Sequence, residues 1–143
     1  MNWPTMSDYQ EAIQNDRWRA LAVGDSCLFV VRSGKVERAF PLARAAEFNN
    51  RPLLLSSVAR ANQQVWNEVR VDEGELHARD QLLLMTDALA QWFLAEAELG
   101  RRPWAALARA GTLEAFCAFV DLLRHGGALR NDDTTLVRVE VAA

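Results

Sequence analysis

Carboxylates recur at three short turns of the 143-residue chain: Asp25 in Gly24-Asp25-Ser26, Asp87 in Thr86-Asp87-Ala88, and Asp132 with Asp133 in Asn131-Asp132-Asp133-Thr134-Thr135. Brought to one place, such groups repel unless positive charge stands among them, and hard divalent cations take oxygen ligands of this kind. Each turn also has a structural use. Gly-Asp-Ser suits a tight turn, because Asp tolerates the geometry and bonds nearby backbone. An Asp ahead of a helix caps it, and Asn-Asp-Asp is ordinary loop. Spacing along the chain leaves both uses open; convergence in space would decide between them. Other reactive groups are few. Cys27 and Cys117 lie in the apolar runs CLFVV and AFCAFV and are expected to be small buried residues. His77 and His125 stand outside the acidic turns, and core or surface roles are expected for them.

Elements that could position these turns follow from periodicity. Ser7-Asp8 signals a helix start, with YQEAIQN as a short polar helix. RWRALAV alternates as a strand with Trp18, Ala20 and Ala22 on one face, and Gly24-Asp25 turns the chain. SCLFVVR and KVERAF are β-branched and aromatic strands joined by a Ser33-Gly34 hairpin turn, so an antiparallel meander of three strands is expected. Phe48 to Pro52 is loop, and PLLLSSV is too short to assign between strand and helix. VWNEVRVDEGEL holds another alternating piece at Val69 and Val71, and the apolar run QLLLMTD reads as a strand buried on both faces. After Asp87 the period lengthens. Leu89, Trp92 and Phe93 form a helix face that ends at Gly100, and Pro103 opens a helix with Trp104 and Leu107. Thr112 caps a helix with Leu113, Phe116, Cys117, Val120 and Leu123 on its apolar face, and Gly126-Gly127 stops it. TTLVRVEV closes as a strand. Strands, then helices, then a strand make one α+β unit.

Composition bounds the remainder. Half the residues are hydrophobic, 24% are charged and the net charge is -3, which allows a real core and lacks the basic excess of a nucleic-acid surface. Arg101-Arg102 is the longest basic cluster and is expected on a solvated helix surface. Two cysteines are too few for a disulfide framework. The N-terminus lacks the basic-then-apolar pattern of a signal peptide, and no apolar run approaches the ~20 residues of a membrane span. A cytoplasmic location with neither nucleic acid nor membrane as partner is expected.

The ordered pieces AVGDSCLFVVRSGKV, DQLLLMTDALAQWF and NDDTTLVRVEV resemble the layout of the type 2C metal-dependent serine/threonine protein phosphatases over residues 17–141. The resemblance implies an antiparallel β-sandwich flanked by helices, with residues 17–143 as the C-terminal portion of such a domain behind a polar segment at 1–16. Asp87 and Asp132 resemble metal ligands of the family. Asp25 resembles the acidic residue of its GDS turn, which helps hold a looser metal, and Asp133 stands where a residue can orient the ligands. The implied cofactors are Mn²⁺ or Mg²⁺, which activate a water against phosphoserine or phosphothreonine without a protein nucleophile.

The chain departs from the family pattern in several places. Ala88 stands where the family has Gly, and Gln91 where a further acid often follows. Nothing before Asp25 resembles the early acidic motif or the Asp-Gly-x-Gly-Gly loop, with its metal-bridging aspartate and phosphate-gripping arginine. Asp8, Glu11 and Asp16 lie in a different context. Two functions follow: a phosphatase whose other half is supplied elsewhere, or a catalytically inactive module of that fold acting in binding, regulation or assembly. An unrelated α+β domain with structural acidic turns is a third. A half-sandwich should expose an apolar face, so a partner chain, an oligomer or a hetero-complex is expected beside the phosphoprotein substrate.

Overall fold

The computed structural model describes residues 16–48 and 57–143. The expected helix over YQEAIQN and most of PLLLSSV lie outside the described residues. Strands β1 (Arg17–Ala22), β2 (Cys27–Arg32), β3 (Lys35–Phe40), β4 (Arg70–Glu75), β5 (Gln81–Met85) and β6 (Leu136–Glu140) form two antiparallel sheets. One has the order β3-β2-β5-β6; the other pairs β1 with β4. Helices α2 (Asp87–Glu98), α3 (Pro103–Arg109) and α4 (Leu113–His125) follow β5, and a short helix α1 (Gln63–Trp66) precedes β4. Among the described residues no helix is long and apolar enough to cross a membrane.

Alternation along the strands divides the larger sheet into two faces. Cys27, Phe29, Val31, Leu83 and Met85 point to the helices and form the main core with Leu89, Trp92, Phe93, Leu107 and Val120. Phe29 stacks on Phe93 with ring centroids 4.4 Å apart, and Trp92 meets Phe119 edge-on at 5.4 Å. The three helices expected after Asp87 hold. Pro103 stands at the start of α3, and the Thr112 hydroxyl accepts from the Ala115 amide at 3.1 Å to cap α4.

On the other face, Leu28 and Val30 are covered by Trp18, Ala20 and Leu76, with Leu82 beside them on β5. Trp18 lies directly across from Gly74 in the β1–β4 pairing, and a Cβ at Gly74 would stand 2.7 Å from the indole nitrogen. Only glycine lets the ring lie flat there. The cover stops short of the far strands: Leu84, Val137 and Val139 are 43%, 50% and 47% exposed on the same face.

Three expectations are corrected here. The meander stops at two strands: β2 and β3 form a hairpin through Ser33 (φ 51) and Gly34 (φ 70), a type I′ turn, but β1 joins β4 in the second sheet. Gly24, at φ 88, turns the chain out of the larger sheet, and burying Trp18 against Leu28 and Val30 requires β1 in a separate layer. β5 is buried on both faces only in part, since Leu84 lies beyond the reach of β1 and β4. Cys117 is exposed, not buried. The stripe of α4 that packs inward is Phe116, Phe119, Val120 and Leu123, and Cys117 and the 80%-exposed Leu113 lie off it.

An ion pair holds the end of the sheet away from the acidic turns. Arg32 donates through Nε and Nη2 to the two oxygens of Asp80, each at 2.8 Å, and the His77 amide adds a third bond at 2.9 Å. The Asp80 amide and carbonyl are also paired, the carbonyl with the Val141 amide at 2.8 Å. The Arg32 guanidinium beside Asp80 holds its carboxyl below the ordinary 3.8, against the opposing effect of burial. A depressed carboxylate pKa contributes stability that is full above 3.8 and is lost as pH falls through the lower folded value. Asp80→Asn is therefore expected to cost about 2–3 kcal/mol at neutral pH, towards the low end for a broken buried pair because Arg32 keeps contact with water. Urea unfolding at pH 7 and below pH 3 should show the loss converging towards zero in acid.

Candidate functional site

The pairing of β2, β5 and β6 decides where the acidic turns go. Cys27 stands opposite Met85, and Met85 opposite Leu136. The start of β2, the end of β5 and the start of β6 are thus level, and Asp25, Asp87 and the 131–135 loop emerge at the same end of three adjacent strands.

Local chemistry then fixes each one. Asp25 follows Gly24 in the crossing between sheets, and its carbonyl accepts from the Cys27 thiol at 3.5 Å. One of its carboxylate oxygens, Oδ2, is buried and has no hydrogen-bond partner. Burial pushes the Asp25 carboxyl above its usual 3.8, and the negative charge of Asp87 adds to this. Its own backbone hydrogen bond and Arg130 pull the other way, and Asp132 pushes up again. Three carboxylates and one guanidinium therefore share one field.

Asp87 is the first residue of α2, where the helix dipole favours negative charge. It does not cap the helix; it accepts from Arg130 Nη2 at 2.9 Å. Thr86 is the N-cap, yet its side chain makes no cap bond. Its hydroxyl instead accepts from the Thr135 amide at 3.0 Å and donates to the Asp133 carbonyl at 3.3 Å, which ties the 131–135 loop to the end of β5.

Asp132 and Asp133 are exposed. Asp132 Oδ1 accepts from the Asp133 amide at 2.8 Å, so Asp133 orients its neighbour through its backbone. Arg124, in the last turn of α4, donates to the Asp132 carbonyl and to the Thr134 hydroxyl. Arg130, Arg124 and Thr86 were not among the residues singled out from sequence. Arg130 adjoins Asn131-Asp132-Asp133 directly, and a cation beside an acidic turn was a usable signal. The remaining reactive groups stand aside. Burial pushes the Cys27 thiol up to about 12, and His77 and His125 lie on the surface.

Among known structures, the serine/threonine phosphatase of S. agalactiae matches 90% of this chain and 55% of its own at 21% identity, with a TM-score of 0.55. The chain has the fold of part of a type 2C phosphatase. The phosphatase domain of the cell fate determinant SpoIIE from Bacillus subtilis matches 92% of this chain and 55% of its own, at 20% identity and a TM-score of 0.47. The photosystem II phosphatase PBCP matches 59% and 34%, at 21% identity and 0.44. The type 2C-like chain described here thus spans about half the length of these structures, or less. No family model and no curated protein matches its sequence.

The type 2C fold implies divalent metal, and the fit is partial. The buried, unpartnered oxygen of Asp25 beside Asp87 suits a hard cation. Among the described residues, however, no group of three or more His, Cys, Asp or Glu side chains is arranged to hold one. A raised carboxyl pKa is a stability penalty: it grows as pH rises from 3.8 through the folded value and is full above it. Asp25→Asn is therefore expected to raise the melting temperature of the metal-free protein at pH 7 and to leave it nearly unchanged below pH 3.5, as scanning calorimetry across that range would show.

Proposed function

We propose that this chain supplies one part of a metal-dependent phosphoserine/phosphothreonine phosphatase site. Asp25, Asp87 and Asp132 would hold Mn²⁺ or Mg²⁺ together with carboxylates from polypeptide outside the described elements. The observation that carries this is the unpartnered Asp25 oxygen beside Asp87 and Asp132, at the level ends of three strands in a type 2C fold. A divalent ion in such a site lowers the pKa of a water and neutralises charge on the phosphoryl group.

The chain's own residues set the stage for that chemistry. Thr86 pins the 131–135 loop against the strand that delivers Asp87. The Asp133 amide orients the Asp132 carboxylate. Cys27 stays a thiol, so it offers no competing nucleophile. A second reading, a module of this fold that binds or assembles without hydrolysis, is favoured by the Arg130 guanidinium already seated on Asp87.

Calorimetric titration of Mn²⁺ into the protein, with Asp87→Asn and Asp132→Asn alongside and p-nitrophenyl phosphate hydrolysis assayed in the same samples, separates the two. Weak binding lost in both variants, without turnover, is the expected result. Turnover lost in both variants would mean that the ligand set is complete in this chain, and no binding at all would leave the non-hydrolytic module.

The same reading accounts for the uncovered face. Leu84, Val137 and Val139 form a half-exposed apolar strip that continues the row Leu28 and Val30 begin under β1 and β4. Further strands laid beside that second layer would cover it, whether from a partner chain or a second copy. Sedimentation velocity at tens of micromolar is expected to show self-association that Val137→Lys with Val139→Lys abolishes. A strictly monomeric wild-type protein would remove the argument for this contact.

A further inference from the structure

We infer that Arg130 is a built-in counter-ion for the acidic end, seated on Asp87 and displaced from it when a divalent cation binds. The inference rests on the metal-site reading above and adds a competitor that this chain itself carries.

The arginine pairs of the protein differ in grip. Arg32 and Arg38 each hold their carboxylate with two nitrogens on two oxygens, at 2.8 and 2.8 Å to Asp80 and at 2.7 and 2.6 Å to Asp72. Arg130 makes one contact, Nη2 to Asp87 Oδ2 at 2.9 Å, and its Nε is buried without a partner. A bidentate fork is a structural clamp, whereas a single bond from a guanidinium whose side chain is 38% exposed is a neutralising contact that water can replace.

Charge balance points the same way. One guanidinium, bonded to Asp87, stands among charges that also include Asp25 and Asp132, and the buried oxygen of Asp25 is left unpaired while the Nε of Arg130 is left unpaired as well. A single positive group spread over three negative ones leaves charge uncompensated, which a divalent ion on Asp25 and Asp87 would answer better. The backbone need not move for the exchange. Arg124 holds the Asp132 carbonyl and Thr134, and Thr86 holds Thr135, so the loop carrying Arg130 is anchored independently of its ion pair.

The test is the Mn²⁺ affinity and the metal-free melting temperature of Arg130→Gln beside the wild type and Asp87→Asn. The expected result is at least about tenfold tighter Mn²⁺ binding by Arg130→Gln, the order of effect of removing one positive charge a few ångströms away. Its metal-free melting temperature should fall, and the double variant with Asp87→Asn should bind no tighter than Asp87→Asn alone. If Arg130→Gln does not fold, the Nε–H nitrogen resonance of Arg130 in the wild-type protein, followed through a Mg²⁺ titration, gives the same answer: it should shift with saturation. Mn²⁺ binding that is unchanged or weakened in Arg130→Gln, or a resonance that stays still while Mg²⁺ binds, would overturn the counter-ion role and leave the metal site standing. No cation binding by either protein would overturn both.

Discussion

The bidentate pair between Arg32 and Asp80 is the contact on which the geometry of the larger sheet turns. Arg32 closes β2, Asp80 opens β5, and the Asp80 carbonyl takes the Val141 amide just after β6. One buried carboxylate residue thus pins three strands at one end. A slip of a single residue in any of them would turn every leucine and valine to the wrong face. With the register locked there, the opposite ends of the same strands come level, and the acidic turns meet, two of them tied directly through Thr86.

The two ends of the sheet are built on opposite electrostatic principles. At the Arg32 end, the carboxylate takes three donors, two of them from a guanidinium, and is held ionised. At the Asp25 end, carboxylates outnumber the cation beside them and a buried oxygen has no donor. Such imbalance gives up stability at one end, which the firmness of the other offsets.

Much of this was legible in the sequence. The alternating runs, Pro103, Thr112 and Ser33-Gly34 each specify local structure through short-range sterics, and all hold. The ordered acidic turns in their apolar contexts led to the fold now matched in a solved phosphatase structure. What failed was non-local. Whether β1 pairs with β2 or crosses to a second layer depends on Trp18 finding Gly74, far along the chain. Cys117 has an apolar sequence neighbourhood, but exposure is set by which stripe of α4 meets the sheet, and Phe116 with Val120 won that face. Arg130 adjoins an acidic turn in sequence, but its partner Asp87 lies across the helices, so no spacing pattern joins that pair.

The hairpin at Ser33-Gly34 has a consequence for how the molecule is built in time. It is the only strand pairing among the described residues that a tight turn closes by itself; β2 must wait for β5, and β5 for β6, across long intervening chain. Local pairings form early and cheaply, while distant ones carry the entropy of closing large loops. Asp25, Asp87 and Asp132 are far apart along the chain, so Asp25 meets Asp87 only when β2 pairs with β5, and Asp132 joins them only when β6 closes on β5. The nascent chain can collapse around Phe29 and the hairpin before any of the like charges are forced together.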